Sequence, residues 1–83
     1  MVLRSVEEVL EILIRETGII LSLESSQISS ESPLHSLGFD SMSLVELFVV
    51  IEKNFDLKLM ESGIGPEDVK TLGALARRIS TMG

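Results

Sequence analysis

One apolar stripe constrains this chain more than any other feature: Leu44, Leu47, Phe48, Ile51 and Phe55 fall at i, i+3, i+4, i+7 and i+11, the spacing of one face of an α-helix. Asp40 stands just ahead of the stripe, where a carboxylate can accept hydrogen bonds from the free N–H groups of a helix start, and Ser41 takes the first helical position. A helix of this kind needs a surface to bury against. With no Trp or Tyr and only three Phe, that surface must be aliphatic. Hydrophobic residues fill 45% of the 83 positions, enough for a packed core and too many for a disordered tail.

The flanking sequence supplies the partners. Ser5 followed by Glu8 is a capping-box pattern, and Val6, Val9, Leu10 and Leu13 then recur on one helical face, so a first helix is expected from 5 to 17 with Gly18 as its stop. Thr71 caps a last helix carrying Leu72, Leu75, Ala76 and Ile79, with Arg77 and Arg78 near its negative end. Between Asp56 and Gly65 the chain has two glycines and mixed polarity, and Pro66-Glu67-Asp68 then reads as the first turn of a short helix. From Ile19 to Asp40 runs a long connection with seven serines between Ser22 and Ser36, plus Pro33. It also holds Ile19, Ile20, Leu21, Leu23, Ile28, Leu34 and Leu37, which a disordered linker would not need. An ordered loop pinned to the core is expected, and a connection of that length hints at function. No alternating strand pattern or internal repeat competes with this reading. The expected fold is all-α: a single domain over 1–83, three main helices plus one short helix, and a long loop after the first. Its core would be Leu10, Leu13, Leu47, Ile51, Phe55, Leu72, Leu75 and Ile79.

Charge and composition exclude several functions. Thirteen acidic residues against seven Lys and Arg leave a net charge of −6, which repels phosphate backbones and argues against nucleic acid as a partner. With no Cys and one His there is no disulfide framework, thiolate zinc site, thiol catalyst or imidazole metal cluster, so no metal is expected. A reducing cytoplasm suits such a chain. The start Met1-Val2-Leu3-Arg4 runs at once into Glu7, Glu8 and Glu11, which is not the pattern of a secretory signal. The longest apolar run, Leu47 to Ile51, is far too short to span a bilayer, so no stable membrane insertion is expected.

The chemistry lies around the second helix, in Leu37-Gly38-Phe39-Asp40-Ser41-Met42-Ser43-Leu44-Val45-Glu46-Leu47. Asp and Ser are favoured at any helix start, so the Asp40-Ser41 pair alone says only that a helix begins. With Gly38 before it, Met42 after it and Glu46-Leu47 further on, the stretch resembles the acyl carrier protein family, whose hallmark is Gly-x-Asp-Ser-(Leu or Met) opening a helix. The resemblance extends over nearly the whole chain. It implies that Ser41 is an acceptor rather than a catalyst: a separate phosphopantetheinyl transferase would move 4'-phosphopantetheine from coenzyme A onto its hydroxyl. The thiol of that arm would supply the sulfur the chain lacks and hold an acyl or aminoacyl group as a thioester. A hydroxyl at a helix start faces the positive dipole end and free N–H groups, which favour an incoming phosphodiester. Gly38 would let the loop enter sharply, and Asp40 would cap the helix and face the transferase. The seven loop serines lack this context and read as solvated turn residues. A hydrolytic triad of His35, Ser41 and Asp40 is excluded, because neighbours in sequence do not make a triad and no Gly-x-Ser-x-Gly elbow is present.

A second stripe, Met42, Val45 and Val49, lies at i, i+3 and i+7, rotated away from the first. It is either buried, making the helix apolar on most of its circumference, or exposed for docking. The resemblance matches these residues, with Glu46 and Glu52, to the face that carriers present to partner enzymes. Departures from the family pattern are Ser43 where an acid is common, Lys53 within what is often an acidic run, and a Phe55–Val69 segment about two residues longer than in fatty-acid carriers. They point to a specialised pathway. The expectation is a monomeric, free-standing carrier, as the initial Met and complete four-helix plan favour, serving an acyl- or aminoacyl-loading enzyme and a downstream synthase or transferase of fatty acid, lipid, polyketide or related biosynthesis. Its aliphatic core either parts to admit a cargo chain or is plain packing. The alternative is a helical protein-protein interaction module that is never modified.

Overall fold

The computed structural model describes residues 5–59 and 63–81. The reading of Met1 to Arg4, and the middle of the segment from Asp56 to Gly65, lie outside these residues. Among the described residues, four α-helices follow one another: α1 (Val6–Leu21), α2 (Leu34–Leu37), α3 (Ser41–Phe55) and α4 (Leu72–Ser80). Single 3₁₀ turns lie at Ser25–Gln27 and Pro66–Val69.

The start of α1 follows the expected cap, with Ser5 Oγ accepting the Glu8 N–H at 3.1 Å. Its end does not. The helix continues through Gly18 to Leu21, and Ser22 takes the left-handed conformation at φ 57° in place of the glycine. Gly18 serves close approach instead: the Leu23 N–H returns to the Gly18 carbonyl at 3.0 Å, and a Cβ on Gly18 would stand 2.8 Å from the Leu23 carbonyl oxygen. The extra turn also corrects the reading of Ile19, which lies on the outer face of α1 and is 68% exposed rather than pinned.

The core joins Val9 and Leu13 of α1 to Leu47, Ile51 and Phe55 of α3 and to Leu72, Leu75, Ala76 and Ile79 of α4. Val9 takes the fully buried place expected of Leu10, which packs half-buried at the edge. α1 lies against both other long helices. The loop is pinned as expected, by buried Ile28 and Leu34 and half-buried Leu23 and Leu37, while Ile20 packs on the core from the last turn of α1.

Backbone bonds fasten the same loop to the start of α4. Leu34 N–H donates to the Lys70 carbonyl at 3.0 Å, Gly73 N–H donates to the Ser30 carbonyl at 2.8 Å, and Pro33 and Thr71 form an isolated antiparallel bridge. Thr71 caps α4 as read, its Oγ1 accepting from Ala74 N–H at 3.0 Å, and the turn at Pro66 is a 3₁₀ turn. Among the described residues, no helix is long and apolar enough to cross a membrane.

Candidate functional site

The loop delivers the chain to the start of α3 in two steps. Pro33 precedes α2 and Gly38 ends it at φ 108°, a left-handed conformation that other residues adopt only under strain. Nothing crowds a Cβ at Gly38, so backbone conformation alone asks for glycine there. Phe39 then packs half-buried on the core and Asp40 turns outward.

Asp40 caps α3 with a closed pair of bonds. Its carboxylate accepts from Ser43 N–H at 2.8 Å, while Asp40 N–H donates to Ser43 Oγ at 2.9 Å and the Ser43 hydroxyl returns to the carboxylate at 2.8 Å. Ser43, read from the sequence only as a missing acid, is the second half of a capping box. The Ser43 N–H, with its hydroxyl second, holds the Asp40 carboxyl below its usual range, so the rim beside Ser41 is anionic at neutral pH.

Ser41 occupies the first position of α3, exposed. Its hydroxyl makes no hydrogen bond among the described residues, because Ser43 has satisfied the neighbouring cap. Beside it opens a groove of about 650 Å³ whose walls include Pro33, Leu34, Phe39, Leu44 and Val69, with His35, Lys70 and Thr71 also at its edge. Sequence reasoning placed Ser41, Asp40 and Gly38 together but missed this groove. The signal was faint: Pro33 ahead of Leu34 and Gly38 after Leu37 bracket a helix of only four residues.

Along α3, Met42, Val45 and Val49 are 74%, 59% and 43% exposed. Glu46 and Lys53 are exposed with them. Glu52 is half-buried, and its carboxylate accepts the Leu59 N–H at 3.0 Å, fixing the turn after α3. His35 sits exposed on α2.

Residues 7–79 match the family described as phosphopantetheine attachment site. The chain belongs to that family. Its members, the acyl carrier proteins among them, are carriers rather than enzymes and hold 4'-phosphopantetheine covalently. Among curated proteins the chain is similar to aminoacyl carrier protein 2 of Bradyrhizobium diazoefficiens, 38% identical over 55 residues. That match covers 66% of this chain and 62% of the relative's length. No solved structure matches. The fold agrees with an acyl-carrier-like helical bundle, and a carrier role follows from the family.

The residues present fit the cofactor. An accessible, unpaired hydroxyl at a helix start can take a phosphodiester without breaking a bond the fold uses, and a mostly apolar groove adjoins it.

Proposed function

We propose that the chain carries an acyl or aminoacyl group on 4'-phosphopantetheine attached to Ser41. The observation that carries this reading is the Ser41 hydroxyl, exposed and unbonded at the first position of α3 while Asp40 and Ser43 close the cap without it. A phosphopantetheinyl transferase would join Ser41 Oγ to the phosphorus of the incoming group and release the nucleotide half of coenzyme A. The Ser41 proton would pass to a base on the transferase. Asp40 keeps the helix start formed and presents a fixed negative charge beside the nucleophile, and Gly38 sets the angle of approach. The attached arm supplies the thiol for a thioester.

Met42, Val45, Glu46 and Val49 form the face on which we place partner enzymes: a loading enzyme, then a synthase or transferase that takes the cargo. Exposed apolar residues rimmed by charge support this placement. Glu52 borders the face while also holding Leu59. Likeness to an aminoacyl carrier favours an aminoacyl cargo. We place residues 1–83 in a cytoplasmic pathway as one monomeric carrier unit.

Co-expression with a promiscuous phosphopantetheinyl transferase tests the reading by intact mass. Wild type should gain one phosphopantetheinyl group and Ser41→Ala none, with helicity and melting nearly unchanged, since a first-turn hydroxyl is worth well under the roughly 1 kcal/mol of an N-cap. Equal gain in both would move the site elsewhere. No gain in either would favour the unmodified interaction module.

A further inference from the structure

We infer that His35 and Lys70 form a seat for the phosphodiester of the attached arm and hold it at the mouth of the groove beside Ser41. The inference rests on Ser41 as the attachment residue. Nothing in the sequence links positions 35 and 70. The fold does, because the Pro33–Thr71 bridge and the bond from Leu34 N–H to the Lys70 carbonyl lay the two segments side by side at the groove that Ser41 also lines.

Electrostatics gives the pair its purpose. The chain carries a net charge of −6, and the ionised Asp40 already stands on the groove's rim. A phosphodiester on Ser41 adds another negative charge at that edge, where like charges a few ångströms apart repel. Among the described residues lining the groove, Lys70 is the sole ammonium and His35 the sole imidazole.

Both are free to answer. The Lys70 ammonium pairs with Glu67 at 3.3 Å, but the two side chains are 65% and 83% exposed, and a pair so solvated is cheaply exchanged for a nearer anion. The exposed His35 side chain has no hydrogen-bond partner among the described residues, and a neutral imidazole still offers one N–H to a phosphate oxygen. Lys70 is a mobile point charge suited to a phosphate that keeps its water. With its phosphate seated, the remainder of the arm lies against the apolar wall of Leu34, Phe39 and Val69, and its thiol is partly withheld from solvent.

The experiment uses the phosphopantetheinylated full chain as wild type, His35→Gln, Lys70→Gln and the double variant. Both side chains are exposed, and the Lys70 backbone carbonyl that holds Leu34 survives substitution. Intact mass first establishes the single addition, and circular dichroism the fold. The His35 ring and Lys70 side-chain resonances should then shift between the unmodified and modified wild type. The arm's phosphorus resonance should move in each variant, and its thiol should react with a neutral maleimide on the order of two- to fivefold faster in the double variant, the scale of exposed ion pairing. Complete addition with unmoved His35 and Lys70 resonances, or one thiol rate shared by all four proteins, overturns the seat and leaves Ser41 standing. A folded wild type that gains no mass overturns both.

Discussion

α3 is apolar on two sides, and the sides meet opposite fates. Leu47, Ile51 and Phe55 are between 0% and 2% exposed, whereas Met42, Val45 and Val49 range from 43% to 74%. Hydropathy does not separate the two sets. What separates them is cover: the first stripe turns into the core shared with α1 and α4, and the second has nothing over it among the described residues. A small domain that leaves three apolar side chains in water on one helix has surface to offer a partner.

Substitution can break this contrast. Leu47→Ala should cost roughly 2 to 5 kcal/mol, because a fully buried side chain leaves a cavity, and that is a large share of the ~5–15 kcal/mol typical of a domain. Urea titration measures it, and a midpoint near that of wild type would mean that the buried face is wrongly assigned. Val45→Asp, on the open face, should leave the midpoint within about 0.5 kcal/mol of wild type and yet slow phosphopantetheinyl transfer or cargo loading. A stable Val45→Asp protein loaded at the wild-type rate would remove the docking face. Smaller again is Glu46→Lys, which should reduce the association rate of a basic partner most at low salt and hardly at high salt. Stopped-flow rates across ionic strength read this out, and a salt-independent difference would exclude steering.

The smallest effect concerns the cap at the head of both stripes. The Asp40 carboxyl titrates below its usual 3.8 in the folded chain, so its ionised form favours folding. That contribution is complete above 3.8 and is lost as pH falls through the lower native value. The melting difference between wild type and Asp40→Asn should therefore stay level from neutral pH down to about 4 and shrink below it. A difference that instead grows on acidification would contradict the Ser43 bonds.

Most of the bundle was legible because its signals are periodic and local. The stripe from Leu44 to Phe55, the Thr71 cap and the Ser5 cap each depend on residues within a turn or two, and each stands where it was read. Gly18 was misread because a glycine near the end of an apolar pattern has two uses, a left-handed terminus or room for a neighbouring backbone. Only the return of Leu23 decides between them. Ser43 was noticed for the charge it lacks, since the usual capping box has a longer side chain at that position, and a serine reaches back just as well. The groove was hidden for a different reason. Its walls come from residues 33–44 and 69–71, and no pattern within either segment announces that a bridge joins them.

That bridge makes the groove a cooperative unit. Widening it by moving the loop means releasing Leu34 N–H and Gly73 N–H together, since each is tied across the same seam to the Lys70 and Ser30 carbonyls. Their amide protons should thus exchange with deuterium at matched rates, as one opening event, distinct from the global unfolding that frees amides deep in α3. The gap between those two exchange rates is a measure of how often the surface around this groove rearranges while the helices stay packed.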